Sequence, residues 1–125
     1  AIGEDVPFSI VENVPVFPGC EGTREELKKC LEKNINNHVA KNFNSKLANE
    51  LGLTAGLKKI FVIFIIDKEG NITGVKARAP HESLQDEGIR VVQSLPKMKP
   101  GKQRGENVAV KYSLPISFKV SAEKK

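Results

Sequence analysis

The stretch that decides the fold is Ile60–Ile66, IFVIFII, followed by the turn sequence DKEGN at positions 67–71. The apolar run does not alternate with polar residues and is rich in β-branched and aromatic types, which is typical of a strand covered on both faces. Gly70 supplies the positive φ that a short bulged hairpin loop requires. We therefore predict a central strand over residues 57–67 that turns back through this loop.

Two further strands are predicted after the turn. Residues 108–120 alternate strictly between apolar and polar types, so this last strand should have one buried and one wet face. Pro115 lies within it, and a proline has no N–H for the ladder, which confines it to a sheet edge or a bulge. The last strand is therefore predicted to lie at an edge. The return strand after the turn is carried by Ile72, Val75, Ala77 and Ala79.

The helices are predicted from caps and apolar spacing. Thr23 and Glu26 form a capping box. Apolar residues then recur at every fourth position as far as Leu51, and this spacing drifts too far for one straight helix to keep them all inward. The asparagine-rich segment 42–44 favours a break. We predict helices over residues 23–41, 45–51 and 82–94.

The N-terminal segment differs from the rest of the chain. Residues 1–22 are rich in proline, which excludes a helix or a central strand and indicates an extended leader laid over a domain of residues 23–125. The fold class is α+β, with helices packed on a three-stranded antiparallel sheet. Because the central strand is apolar throughout, the leader or a second copy of the chain should cover the other face, so a homodimer is compatible with the sequence.

Composition narrows the function. The chain has 125 residues, enough for one domain, and a net charge of +5, which permits nucleic acid, anionic lipid or an acidic partner. The basic residues are scattered, which argues against nucleic acid. No apolar run reaches the ~20 residues that span a bilayer, so any membrane anchor would lie upstream. Residues 97–105 are predicted to form a basic loop. Its side chains either contact an acidic partner or are solvated: Lys97, Lys99, Lys102 and Arg104.

Cys20 and Cys30 match no metal motif, because a zinc site needs about four ligands and no His or Cys cluster accompanies them. They are either inert thiols or a disulfide formed in an oxidising compartment, and we favour the disulfide. His38 and His81 are isolated in the sequence and have no visible metal or catalytic partner. No catalytic residue, metal or cofactor is predicted, so we expect a protein that is not an enzyme.

Four segments in order resemble the C-terminal domains of TonB proteins, in the form common in Bacteroidetes-like bacteria. The chain departs from that family at Phe43-Asn44, where Tyr-Pro is usual, and at Met98, where Trp is usual. The segments that carry the resemblance are Phe8–Glu21, Phe61–Ile72, Arg90–Gly101 and Val108–Val120.

The resemblance implies a periplasmic domain, anchored in the inner membrane by a helix upstream of this sequence and connected there to a proton-driven motor. It implies binding, by strand addition, of the short N-terminal box peptide of an outer-membrane transporter, with transmission of force to that transporter. The residues that would pair with the peptide belong to the last strand: Asn107, Val108, Ala109, Val110, Lys111, Tyr112, Ser113, Leu114 and Ser117.

Two alternatives stay open at this point. A small α+β RNA-binding module is favoured by the charge, but the sequence lacks the paired stacking aromatics and the glycine-rich clamp of such modules. A TonB-like sensor domain of a membrane signalling protein is the other alternative.

Overall fold

A computed structural model of the chain describes residues 5–44, 46 and 56–120, without the side chains of 118–120. The described elements follow the predicted α+β order, and the predicted helix over 45–51 lies, except for residue 46, outside the described residues. The elements are β1 Val6–Pro7, α1 Arg24–Asn42, β2 Gly56–Ile66, β3 Ile72–Arg78, α2 Glu82–Gln93, β4 Gly101–Gln103, β5 Glu106–Val108 and β6 Val110–Val120.

The main sheet has the strand order β1-β6-β2-β3. Its centre is the antiparallel pair of β2 and β6, which runs without interruption from Gly56 opposite Val120 to Ile66 opposite Val110. The sheet has four strands rather than the predicted three, because Val6–Pro7 of the leader adds to β6 as a short parallel strand. The leader is therefore part of the sheet as well as a cover for the domain.

The prediction that β2 is covered on both faces is wrong for the part of the chain that the structure describes. Ile60, Val62 and Phe64 are buried against the helices, whereas Phe61 and Ile63 on the opposite face are 53% and 38% exposed. Strand β2 is hydrogen-bonded to a neighbouring strand on both of its edges, but only one of its two faces is packed against helices. An unbroken apolar run did not distinguish these two cases.

Helix α1 begins at the predicted capping box. The Thr23 hydroxyl accepts a hydrogen bond from the Glu26 amide, and the Glu26 carboxylate accepts one from the Thr23 amide, at 3.2 and 2.8 Å. The helix buries Leu31, Ile35 and Val39 and ends at Asn42, so the break predicted at 42–44 is confirmed at its start.

Side chains of α2 hold the end of α1 in place. Glu87 accepts a hydrogen bond from the Asn44 amide at 2.7 Å, and Arg90 donates one to the Asn42 carbonyl at 2.8 Å. The hydrogen bond from Arg90 lowers the pKa of the Glu87 carboxyl, outweighing the opposite effect of burial. Both histidines make contacts at helix α2. His81 caps its N-terminus by accepting a hydrogen bond from the Ser83 amide, and the His38 ring on α1 lies 2.8 Å from the hydroxyl of Ser94, the C-cap of α2.

Residues 97–105, predicted as a loop, contain strand β4 and the start of a hairpin with β5. The turn between them has two residues, Arg104 and Gly105, with φ of 53° and 79°. Positive φ at both positions is what a tight type I′ turn requires. Arginine gives no sequence signal for this conformation, which is why the hairpin was not predicted.

A disulfide joins the leader to α1. Cys20 and Cys30 are bonded, with their Cα atoms 6.0 Å apart, as favoured from the sequence. Upstream of the disulfide, the leader pairs with residues 97–105 through two isolated bridges, Asn13 with Lys102 and Val16 with Lys99. The leader is thus fixed at several points, one of them covalent.

Replacing both cysteines with serine should lower the free energy of unfolding by about 2–3 kcal/mol, because the unfolded chain would no longer be constrained by the short closed loop. Urea unfolding of the double variant and of the reduced wild type should give the same loss. Equal stability of the oxidised and reduced wild type would contradict this prediction.

Gly70 in the β2–β3 turn is predicted to be irreplaceable. Its φ is 90°, and a Cβ at this position would overlap the main-chain carbonyl of Met98, whose amide donates to the Gly70 carbonyl at 3.0 Å. Gly70→Ala should therefore cost about 3 kcal/mol or more. The matched control is Gly105→Ala, because Gly105 also has positive φ but a Cβ added there would meet no atom within 4 Å. This control should cost only about 1–2 kcal/mol in the same unfolding experiment.

Candidate functional site

The candidate site is the outer edge of β6, the strand predicted to lie at an edge. The leader covers only its beginning, where the Val6 amide donates to the Ala109 carbonyl and the Phe8 amide donates to the Lys111 carbonyl, both at 2.9 Å. The leader then turns away, with the Ile10 amide donating back to the Pro7 carbonyl at 3.1 Å. Beyond this turn, none of the described strands lies beside the outer edge of β6.

Backbone N–H and C=O groups of successive β6 residues point alternately towards β2 and away from it, and this alternation determines which groups lie at the outer edge. Lys111 directs its carbonyl towards the leader and away from β2. Since backbone direction alternates along an antiparallel strand, Ser113, Pro115 and Ser117 also present their backbone groups outward. Pro115 therefore sits where its missing N–H costs no bond of the β2–β6 ladder, as expected for a proline at a sheet edge.

The open part of the edge carries backbone groups that have no partner among the described residues. Ser113 and Ser117 each present one N–H and one C=O, and Pro115 presents a C=O alone. Within residues 5–44, 46 and 56–120, no hydrogen bond to these outward groups is found. A row of this kind can accept an added strand from another chain.

Two hollows lie against this edge. One, of about 410 Å³, is at the point where the leader turns away, and is lined by Pro7, Phe8, Ser9, Lys111 and Ser113. The other, of about 200 Å³, lies between α1 and the edge, and is lined by Asn36, Val39, Ala40, Pro115, Ile116 and Ser117. Side chains of an added strand would point alternately to the two faces of the sheet, so the hollows could take side chains on either face.

The first three residues predicted for the site precede β6. Asn107 and Val108 belong to β5, in the separate two-stranded sheet, and Ala109 lies between β5 and β6. Their assignment to the last strand is wrong, because the tight turn at Arg104-Gly105 folds residues 106–108 back on β4.

The remaining predicted residues lie on β6 but differ in what they present. Val110 and Lys111 are already paired with the leader. Tyr112 and Leu114 are buried and direct their backbones to β2 by the alternation of the strand. Ser113 and Ser117 are exposed on the open part. Pro115 joins them, although the sequence pattern indicated only its place at an edge and not its part in the site.

An aromatic cluster anchors the leader beside the open edge, and no pattern in the sequence predicted it. The ring centroid of Tyr112 lies 4.8 Å from that of Phe8 in the leader and 5.2 Å from that of Phe64 in the core. The Lys28 ammonium lies 5.7 Å from the centre of the Phe8 ring. Burial, helped by the charge of Glu32, raises the pKa of the Tyr112 phenol to about 12.

The basic residues predicted as contacts are used mainly through their backbones. Lys99 and Lys102 bridge to the leader, and the Arg104 amide donates to the Glu12 carboxylate at 2.6 Å. The side chains of Lys97, Lys99, Lys102 and Arg104 form no ion pair in the described part of the chain and line neither hollow beside the edge. A partner contact through these side chains stays a prediction.

Neither a metal cluster nor a membrane-spanning helix is found in the described ranges of the chain. Among those residues, no group of three or more His, Cys, Asp or Glu side chains is placed to hold a metal ion. None of the described helices has the length and apolar character needed to cross a membrane.

The fold and the edge define a small α+β domain with a sheet edge suited to strand addition. The family described as the Gram-negative bacterial TonB protein C-terminal matches residues 58–120, just over half of the chain, and the chain belongs to this family. The solution structure of the Helicobacter pylori TonB C-terminal domain is similar in fold, with a TM-score of 0.52 and 18% identity over 85% of this chain and 89% of that one. No curated protein matches the chain in sequence.

Membership of this family supports a TonB-like role in energy transduction in general. Domains of this family are periplasmic in general, and the family implies interaction with outer-membrane transporters.

The raised pKa of Tyr112 makes stability depend on pH at the alkaline end. The folded protein keeps the phenol proton up to about pH 12, whereas the unfolded chain loses it near pH 10.0. The contribution of this phenol to the free energy of unfolding is therefore fully present below about pH 10. It should be lost, by about 2–3 kcal/mol, as the pH rises from about 10 to about 12. The chain has one tyrosine and no tryptophan, so phenolate absorbance reports Tyr112 alone.

The control variant is Tyr112→Phe, which should lose this part of the pH dependence while keeping the ring contacts. If the Tyr112 phenol titrates at the same pH in the folded protein as in the urea-unfolded protein, the phenol is not buried and this prediction is wrong.

Proposed function

We propose that the domain binds the N-terminal box peptide of an outer-membrane transporter by adding it as a strand to the open edge of β6. The observation that carries this proposal is the outward row of Ser113, Pro115 and Ser117, left open where the leader turns away from the sheet. Strand addition uses main-chain bonds for affinity and side-chain pockets for selectivity, and the edge and its two hollows provide both.

The proposed grip is weak and reversible. Ser113 and Ser117 offer two main-chain bonds each and Pro115 offers one. At about 0.5–1.5 kcal/mol net for each of these five bonds, the ladder supplies roughly 2.5–7.5 kcal/mol before the cost of association. A grip of this strength suits a protein that engages and releases a transporter repeatedly.

The wider role rests on family membership and on the disulfide. The proposed domain works in the periplasm, attached through its upstream chain to an inner-membrane helix and a proton-driven motor, and it transmits force without catalysing a reaction. Cys20–Cys30 supports an oxidising compartment, because disulfides persist in the bacterial periplasm and are rare in the cytosol.

The direct test is a titration of the isotope-labelled chain with a transporter box peptide, followed by NMR. The amides of Ser113 and Ser117 should shift, while that of Lys111, already paired with the leader, and that of Val110, directed to β2, should shift less. Shifts confined to β4, β5 or α2 would contradict the proposed site.

A pair of substitutions at Ser117 separates backbone pairing from side-chain contact. Ser117→Pro removes an outward N–H without touching the β2–β6 ladder, and should weaken peptide binding roughly 3- to 10-fold. The matched control Ser117→Ala keeps the N–H and should bind like the wild type. Equal affinities of the three proteins by calorimetry would contradict main-chain pairing at this position.

Pro115→Ala should have the opposite effect. It adds an outward N–H in the middle of the open edge, so the peptide gains one main-chain bond and should bind roughly 2- to 10-fold more tightly. Circular dichroism of the free proteins checks that the fold is unchanged. Weaker binding of a folded Pro115→Ala variant would show that the peptide does not pass this residue as a strand.

A further inference from the structure

The sheet face opposite the helices carries an exposed apolar stripe along β2. Leu57, Phe61 and Ile63 are 66%, 53% and 38% exposed, and all point to this face because they alternate with the buried residues of the strand. The register places Phe61 between Arg78 and Pro115 of the neighbouring strands. No described element packs over this stripe.

Cations flank the stripe on both sides, and strands β2, β3 and β6 contain no Asp or Glu. The register puts four exposed basic residues on the same face as Phe61: Lys76 and Arg78 on β3, Lys111 on β6, and Lys59 within β2 itself, between Leu57 and Phe61. None of these four forms an ion pair within the described part of the chain. The face therefore combines an apolar centre with uncompensated positive charge at its borders.

The stripe forms a ridge with a hollow on each side. The hollow towards β3 has a volume of about 620 Å³ and is lined by Phe61, Ile63, Lys76, Ala77 and Arg78. The hollow towards β6 has a volume of about 320 Å³ and is lined by Phe61, Val62, Ile63, Ser113, Leu114 and Pro115. A ridge between two hollows can interlock with the side chains of a second element, as in ordinary helix–sheet packing.

The charge pattern selects the occupant. A second copy of this chain laid face to face would bring the two sets of four lysine and arginine side chains together, with no carboxylate from β2, β3 or β6 of either copy to compensate. A partner that fits must carry apolar side chains for the ridge and carboxylates for both flanks. An amphipathic helix with an acidic border on each side of its apolar stripe has this arrangement.

We propose that this open face docks an acidic amphipathic helix of a partner protein. The stripe is long enough for such a helix. Leu57 to Ile65 extends for about 26 Å as a strand, which is the length of a helix of about 18 residues. The seated helix would complete a three-layer packing, with α1 and α2 on the other side of the same sheet. This surface borders the outer edge of β6 at Ser113 and Pro115, which line the hollow towards β6. The helix would contact their side-chain face, whereas an added peptide strand would pair with their outward backbone groups.

The probe is a designed helical peptide of about 18 residues with leucines on one face bordered by glutamates, compared with a counterpart in which lysines replace the glutamates. NMR titration of the isotope-labelled chain should show the acidic peptide shifting the Phe61 ring and the Ile63 methyl signals. The basic peptide should not bind.

Charge reversal tests the flanks. Lys76→Glu with Arg78→Glu should weaken binding of the acidic peptide at least roughly tenfold, because two of the four cations of the face become repulsive. The matched control is Lys29→Glu with Lys33→Glu, which makes the same change in net charge on α1, away from the proposed face. The control should change the affinity less than about twofold, since distant exposed charges are screened by salt.

Phe61→Thr tests the ridge. It should weaken binding of the acidic peptide roughly tenfold with little change in melting temperature, because about half of the Phe61 side chain is already in water. A large fall in melting temperature would show that the chain's own residues cover Phe61, and would overturn the proposal.

Other outcomes also decide against it. The proposal is overturned if neither peptide binds, if both bind equally, or if the acidic peptide shifts only Ser113 and Ser117 at the edge. It is also overturned if the chain does not bind the acidic peptide but binds phosphatidylglycerol vesicles through Phe61, which would identify the face as a membrane contact. None of these results bears on binding of the box peptide to β6.

Discussion

The antiparallel ladder between β2 and β6 determines the direction of every side chain and backbone group on the two strands. Pairing from Gly56 to Ile66 sends Ile60, Val62 and Phe64 into the core, where the helices cover them. The same pairing sends Phe61 and Ile63 to the opposite face and turns the backbone of alternate β6 residues outward. The open edge and the open face are therefore two results of one register, and a slip of one residue would exchange buried and exposed sides throughout.

Local patterns predicted the parts of the fold that local chemistry controls. The Thr23 capping box, Gly70 in the hairpin and Pro115 at an outward position could each be read from a few neighbouring residues. Contacts between distant segments could not. Nothing near Val6 indicates that it pairs with Val110, in parallel, more than a hundred residues away. The apolar run of β2 misled for a related reason, because apolar residues read the same in sequence whether a second layer covers them or water does.

The candidate site shows the same division. Period two in the last strand indicated which residues share a face, but where the edge becomes accessible depends on the point at which the leader leaves it. The start of the site was misplaced because a tight turn at Arg104-Gly105 removed residues 106–108 from the last strand. The hollow beside α1 depends on the distance between a helix and a strand edge, which is a property of tertiary packing and not of either segment.

The disulfide also has a mechanical consequence. Cys20 lies near the end of the leader and Cys30 lies within α1, so tension that passes the leader's hydrogen bonds is carried across the sulfur atoms directly into the helix. The residues between them, including the capping box at Thr23, are bypassed and cannot be pulled straight while the bond is intact. Reduction would lengthen the extensible part of the chain and expose the first turns of α1 to unravelling once the leader's hydrogen bonds upstream of Cys20 have broken.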